Sequence, residues 1–84
     1  MEYEELKHLI AFAKYGTLSQ AAKALHLSQP VLTRSMQHLE ESLGVPLFNR
    51  TKNRIRLNET GKLAVELAKQ VLKETKNAGS ARGL

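Results

Sequence analysis

Residues 18–44 read LSQAAKALHLSQPVLTRSMQHLEESLG, and this stretch carries the signals of two short helices separated by a tight turn. Ser19 is the predicted N-cap of the first helix, because a serine oxygen accepts a backbone N–H that has no partner within the helix. The apolar residues that follow at helical spacing are Ala21, Ala22 and Leu25. Two adjacent alanines predict close packing against a neighbouring helix.

The second helix is predicted to begin near Gln29. Ser28 is its N-cap, and Pro30 fits the first turn, where a missing N–H costs no hydrogen bond. Gly44 followed by Pro46 predicts the end of the helix, because glycine adopts a left-handed C′ conformation and proline cannot continue a helix. Its apolar face carries Leu32, Met36, Leu39 and Leu43.

The opposite face of the second helix is polar. Its outward residues, in order, are Gln29, Thr33, Arg34, Gln37 and His38. Base edges in the major groove of DNA are read by hydrogen-bonding side chains of this kind near the start of a helix. The stretch therefore predicts a helix-turn-helix whose second helix is a recognition helix. The alternative is an αα-hairpin whose outer face is merely solvated.

The pattern changes from helical spacing to alternation after Pro46. The segments LFNR (residues 47–50) and RIRL (residues 54–57) predict two short strands joined by a turn at 51–53. The predicted inward residues are Phe48, Ile55 and Leu57. The basic residues predicted to project together towards phosphates or the minor groove are Arg50, Lys52 and Arg54. Such a hairpin beside a recognition helix is a wing, and a solvated basic turn is the alternative.

Two further helices are expected at the ends of the chain. The first runs from about Glu4 to Tyr15, with Gly16 as its C′ residue, and its apolar stripe is predicted to comprise Leu6, Leu9, Ile10, Phe12 and Ala13. The last has Asn58 as N-cap and runs from Glu59 to about Lys76. A frayed tail is expected over residues 77–84.

The last helix carries more apolar surface than a small core can cover. Its stripe comprises Leu63, Ala64, Leu67, Ala68, Val71 and Leu72. We therefore expect part of the stripe to meet a second protomer. The residues predicted to form this dimer contact are Leu63, Leu67, Val71 and Leu72. The alternative is that the helix folds back onto its own core.

Composition narrows the classes of function. Thirteen Lys and Arg against eight Asp and Glu give a net charge of +5, which favours a polyanionic partner. The chain has no cysteine, and its three histidines are too scattered to predict a metal site or a cofactor. Neither a membrane span nor a signal peptide is indicated, so a cytoplasmic location is expected. No phosphate-binding loop or nucleophile motif suggests an enzyme.

The run TLSQAAKALHLSQPVLTRSMQHLEESLGVPLFNRTKNRIRLNETG (residues 17–61) resembles the N-terminal DNA-binding domain of LysR-type transcriptional regulators. That family typically shows S-F-T-x-A-A-x-x-L, S-Q-P-A-L-S-x-x-I-x-x-L-E, L-G-x-x-L-F-x-R and T-x-A-G in this order, and the match covers about residues 4–76. Thr33 replaces the usual serine, which bears on base preference rather than on the fold. A similar winged helix occurs in ModE-type regulators.

The resemblance implies a DNA-binding dimer. The residues predicted to contact DNA from the recognition helix are Ser28, Gln29, Pro30, Thr33, Arg34, Gln37 and His38. Of these, the resemblance matches Gln29, Pro30, Thr33 and Arg34 to the family's base-contacting positions. It also implies that the last helix is a linker that pairs two domains on an AT-rich interrupted palindrome. A small-molecule effector would act only through a further domain, so the 84 residues are expected to be an isolated domain or a truncated protein.

The sequence thus predicts a mainly α fold with a small β-hairpin. Residues 1–58 form a winged helix-turn-helix, 59–76 a linker and dimerisation helix, and 77–84 a flexible tail. The predicted function is sequence-specific binding of double-stranded DNA by a bacterial LysR-type transcription regulator, without catalysis. A helical protein-interaction module that has lost DNA binding is the competing hypothesis.

Overall fold

Four helices and one two-stranded hairpin follow one another in the computed structural model, which describes residues 2–51 and 54–80 and side chains as far as residue 73. The elements are α1 (Tyr3–Tyr15), α2 (Leu18–Leu25), α3 (Gln29–Leu43), β1 (Phe48–Thr51), β2 (Arg54–Leu57) and α4 (Glu59–Ser80). This confirms the predicted winged helix-turn-helix, in which helices dominate and the hairpin lies between α3 and α4.

The boundaries of α1 and α3 follow the predicted capping residues. Gly16 and Gly44 end these helices in the left-handed conformation, with φ of 84° and 74°. Ser28 caps α3 by accepting the Val31 N–H at 3.3 Å. The turn between α2 and α3 is tight because His26 also adopts a left-handed conformation, with φ of 60°.

The predicted N-cap of α2 was wrong. Thr17, and not Ser19, precedes the helix in an extended conformation, and its Oγ1 accepts the Gln20 N–H at 3.1 Å. Ser19 lies inside the first turn of the helix. Gly16 ends α1 only one residue earlier, so the chain has room for a single extended residue between the two helices, and threonine caps as serine does.

The core lies where α1, α2, α3 and α4 meet the base of the hairpin. Its fully buried large side chains are Leu9, Leu32, Met36, Leu39 and Leu47. Ala21 and Ala22 are also buried, which confirms the predicted close helix packing. Phe48 packs its ring edge-to-face against Phe12, with ring centroids 5.4 Å apart.

Some predicted core residues lie elsewhere. Ala13 is exposed, because the buried stripe of α1 runs through Leu6, Leu9 and Phe12. Leu43, at the end of α3, is 39% exposed. Val65 was not predicted as core, yet it is 4% exposed and provides the deepest apolar contact of α4 together with Ala68.

Strands β1 and β2 pair antiparallel in the register Phe48↔Leu57, Asn49↔Arg56, Arg50↔Ile55 and Thr51↔Arg54. Ile55 and Leu57 pack against the core, as predicted. Asn58 caps α4 by accepting the Gly61 N–H at 2.7 Å. Helix α4 continues to Ser80, past the expected end near Lys76, and residues 81–84 of the predicted tail lie outside the described part of the chain.

Candidate nucleic-acid interface

The start of α3, the start of α2 and strand β2 surround one open cleft of about 310 Å³. Gln29 reaches this cleft from α3, and Thr17 and Ser19 reach it from α2. Arg54 and Arg56 line it from the hairpin. The fold therefore places cationic side chains beside the first turn of the predicted recognition helix, although the two segments are separated by 25 residues of sequence.

The polar face predicted for α3 is largely accessible. Thr33 is half-buried, whereas the other predicted contacts are exposed, namely Ser28, Gln29, Pro30, Arg34, Gln37 and His38. Leu32, Met36 and Leu39 on the opposite face are buried at 1% exposure or less. The core thus holds α3 by one side and leaves its polar side chains free to contact a partner.

His38 contacts α1, which the sequence pattern did not predict. Its Nδ1 lies against the carboxylate of Glu5 in the first turn of α1, and the same carboxylate accepts the Glu2 N–H at 3.0 Å. Nearby, His8 Nδ1 lies 2.7 Å from Ser35 Oγ. These two polar contacts join α1 to the recognition helix. His38 therefore supports α3 as well as standing on its exposed side.

Glu5 is a buried acid, at 7% exposure. Burial by itself raises the pKa of its carboxyl, but the hydrogen bond from the Glu2 N–H, then the hydrogen bond and positive charge of His38, outweigh burial and hold the pKa below its ordinary value. The carboxylate is therefore charged at neutral pH.

The basic residues of the hairpin do not all lie on one face, although they were predicted to project together. Arg50 pairs with Ile55, and Arg54 pairs with Thr51, so Arg50 and Arg54 lie on opposite faces. The prediction counted two-residue intervals straight through the turn, but the chain reverses there and the interval no longer tells which face a residue occupies. Lys52 lies outside the described residues.

Arg56 is the basic residue that the sequence prediction missed. It shares the exposed face of β2 with Arg54, two residues earlier, and both line the cleft beside Gln29. The alternation RIRL carried this signal, because the predicted inward positions of Ile55 and Leu57 require Arg54 and Arg56 to face outward.

Helix α4 carries a row of apolar side chains that are largely exposed to solvent. Leu63, Leu67 and Val71 are 66%, 62% and 44% exposed, and we call these three residues the α4 apolar face. Leu72, predicted to belong with them, is half-buried. The face borders a shallow apolar groove of about 120 Å³ lined by Leu6, Leu9, Leu39, Leu43, Ala64, Leu67, Ala68 and Val71.

The part of the chain that the structure describes contains neither a membrane-spanning helix nor a metal-binding cluster. No helix there is both long and apolar enough to cross a membrane. Nor do three or more histidine or acidic side chains gather within the described residues in a way that would hold a metal ion.

Curated proteins are similar in sequence to this chain. The curated relatives include the HTH-type transcriptional regulator TcbR of Pseudomonas sp. (strain P51), 43% identical over 79 residues. They also include the HTH-type transcriptional regulator ClcR of Pseudomonas putida, 43% identical over 75 residues. These alignments cover 94% and 89% of this chain but 27% and 26% of the relatives. The chain therefore spans about a quarter of the length of these regulators.

Solved structures share its fold. The CbnR_DBD–DNA complex matches with a TM-score of 0.88 and 43% identity, over 94% of this chain and 91% of that one. The BenM_DBD/catB site 1 DNA complex matches with a TM-score of 0.87 and 29% identity, over 95% and 86%. Residues 3–62 also match the family model described as bacterial regulatory helix-turn-helix protein, lysR family. The chain belongs to the lysR family of bacterial regulatory helix-turn-helix proteins.

Proposed function

We propose that this domain binds double-stranded DNA sequence-specifically, as the DNA-binding domain of a LysR-type transcription regulator. The observation that carries the proposal is the open cleft that Gln29 of α3 lines together with Arg54 and Arg56 of β2. An α-helix fits the major groove, and cations on a neighbouring hairpin can then reach the phosphates or the minor groove. The net charge of +5 supports a polyanionic partner.

The recognition helix supplies base readout in this proposal. Arg34 is exposed in the second turn of α3 and has the donors for a bidentate contact with guanine. Gln29 and Gln37 can pair with adenine in the same manner. Thr33 offers a hydroxyl and a methyl group. Ser28, Pro30 and His38 complete the contact surface, Pro30 through apolar contact and His38 through the side of its ring that Glu5 does not occupy.

The wing, which comprises β1, β2 and the turn between them, supplies the sequence-independent part of the affinity. Arg54 and Arg56 face the cleft, and Arg50 stands on the other side of the hairpin. Lys52, which lies outside the described residues, is proposed as a further wing cation. Each cation that neutralises a phosphate releases a counterion, so binding should weaken steeply with salt.

We further propose that two copies bind together through the α4 apolar face. Its exposed Leu63 and Leu67 give each copy the same apolar patch, and two-fold symmetry makes such a patch complementary to itself. A symmetric dimer reads two half-sites in opposite orientation. The target would then be an interrupted palindrome, AT-rich by the family resemblance.

The regulator as a whole extends the proposal. A small-molecule effector would act through residues outside these 84, since the relatives are about three and a half times as long. The domain would act by binding rather than by catalysis, and it would work in the cytoplasm, where the chromosome of a bacterium lies.

Selection of bound sites from random duplex DNA, followed by a salt titration on the enriched site, tests the proposal. We expect a motif with two-fold symmetry and a linear fall of log affinity with log salt, with a slope of about −0.9 for each neutralised phosphate. A scrambled duplex of equal length is the control. If no motif is enriched and affinity is insensitive to salt, the protein-interaction module is the better description.

A further inference from the structure

The carboxylate of Glu40 links the end of the recognition helix to the start of the wing. Its Oε2 accepts the backbone N–H of Leu47 at 2.7 Å and that of Phe48 at 3.2 Å. Phe48 is the first residue of β1, and Leu47 is fully buried directly before it. A carboxylate that accepts backbone N–H groups makes stronger bonds than a neutral acceptor does.

The same short segment is held from the opposite side by the start of α4. We call residues 46–48 the wing root. The backbone N–H of Asn58 donates to the Leu47 carbonyl at 2.9 Å, and Asn58 Nδ2 donates to the Pro46 carbonyl at 3.1 Å. The wing root is therefore fixed between α3 and α4, with Glu40 as the contact on the α3 side.

The position of the wing root determines where the wing cations lie. A strand rises about 3.3 Å per residue, so the far end of the hairpin lies roughly 10 Å from its root. Over that length, a rotation of about 15° at the root displaces the backbone at Arg54 by about 2.5 Å. Hydrogen bonds to phosphate tolerate only a few tenths of an ångström.

We propose that Glu40 is a positioning residue for the wing: by tying the wing root to α3, it sets the orientation in which the wing cations meet the DNA backbone while α3 occupies the major groove. This inference rests on the proposed function. Glu40 does not itself touch DNA in it, because the carboxylate points to the wing root and is half-buried there.

Glu40→Gln tests the inference, with Glu41→Gln as its matched control. Glutamine keeps the size of the side chain and one acceptor oxygen, but it loses the charge that strengthens the two bonds, both of which a single oxygen of Glu40 accepts. Glu41 is exposed and adjacent, so both variants change the net charge equally. We expect Glu40→Gln to weaken binding about three- to tenfold relative to Glu41→Gln. Its salt slope should be shallower by about one. The base motif selected from random DNA should stay the same, because α3 keeps its own position.

A double-variant cycle shows whether the effect passes through the wing. In a background that carries Arg54→Ala and Arg56→Ala, the wing cations of the cleft are already lost, so Glu40→Gln should have a clearly smaller effect on DNA affinity than in the parent. Amide exchange of Leu47 and Phe48 should accelerate in Glu40→Gln and not in Glu41→Gln. All binding is measured at a temperature where circular dichroism shows each variant folded. Glu40→Asp, whose carboxylate is too short to reach both amides, provides a second variant if Glu40→Gln does not fold.

Three results would overturn the inference. The first is a Glu40→Gln protein whose Leu47 and Phe48 amides exchange faster while its DNA affinity and salt slope equal those of Glu41→Gln. Glu40 would then stabilise the wing root without affecting DNA binding. The second is an undiminished loss of affinity in the background without Arg54 and Arg56. The third is a changed base motif, which would place the effect on α3. If the parent protein fails to bind DNA in a salt-sensitive manner, the proposed function itself is rejected, whereas a binding parent with an unaffected Glu40→Gln rejects this inference alone.

Discussion

The buried carboxylate of Glu5 contacts Nδ1 of His38 and so connects the first turn of α1 to the third turn of the recognition helix. The two residues are 33 positions apart in sequence, and Glu5 is only 7% exposed. This contact ties the stability of the domain to the protonation state of Glu5.

Replacing Glu5 by glutamine should make stability less sensitive to acid. Because the pKa of Glu5 is lower in the folded chain than in the unfolded chain, its ionised form stabilises the fold at neutral pH. This contribution is lost as the pH falls below about 5 and through the folded pKa. Urea unfolding between pH 7 and pH 3 should therefore show a shallower loss of stability in Glu5→Gln. Glu4→Gln, an exposed neighbour, is the control and should keep the slope of the parent.

Replacing Arg34 by alanine should relax base preference. The side chain is exposed on α3, and loss of a bidentate base contact costs about 1–3 kcal/mol of binding free energy. Site selection with the variant should show one position in each half-site losing its preference. Lys14→Ala removes an exposed cation from α1 and serves as the charge-matched control. An unchanged motif in a folded Arg34→Ala protein would remove Arg34 from the base-reading set.

Removing cations from the two faces of the wing should have unequal effects. Arg54 and Arg56 line the cleft beside α3, whereas Arg50 lies on the opposite face. Arg54→Ala should make the slope of log affinity against log salt shallower by about one, with little change in motif. Arg50→Ala removes the same charge and should change the slope less. Equal salt slopes for Arg54→Ala and Arg50→Ala would mean that both faces of the hairpin contact phosphates equally.

Local signals explain what could be predicted from sequence. Ser28, Gly44 and Asn58 act on backbone groups within four residues, so each was identifiable without knowledge of the fold. Thr17 was within reach of the same argument, but the neighbouring serine offered an equally good cap and the start of α2 was placed too late.

The remaining features depend on contacts between elements. Glu5 meets His38 only after α1 packs on α3, and Glu40 reaches the wing root only after the chain turns at Gly44. The stripe of α4 was predicted as one broad apolar face, and packing divided it. Val65 and Ala68 turn to the core, while Leu67 remains exposed. The spacing of apolar residues shows how wide the apolar face of a helix is. It does not show which part of that face the neighbouring helices cover.

Replacing Gly61 by alanine should destabilise the domain although the site is helical. An added Cβ would overlap the Leu47 carbonyl oxygen and lie 2.9 Å from Leu57 Cδ2, so the wing root or α4 would have to shift. Overpacking of this kind costs about 1–3 kcal/mol, against the gain of about 1 kcal/mol that alanine otherwise brings to a helix. Urea unfolding measures the change. Thr60→Ala, exposed in the same turn, should be close to neutral. A more stable Gly61→Ala protein would show that the approach of Leu47 to α4 is looser than the structure has it.

Replacing Leu67 by aspartate should convert the proposed dimer into a folded monomer. Leu67 is 62% exposed, so an aspartate there remains in water in the monomer. In the dimer, the two α4 helices would bury its carboxylate with no cation to pair with it, which is unfavourable. Lys69→Gln makes the same change in net charge at an exposed position of α4 and should leave the dimer intact. Sedimentation at several concentrations measures the mass, and a titration of DNA with one or two half-sites measures the consequence. The monomer should bind both duplexes with similar affinity, whereas the parent should prefer the full site. A parent that sediments as a monomer at high micromolar concentration, or a Leu67→Asp protein with the parent's mass, would assign the α4 apolar face to some other contact.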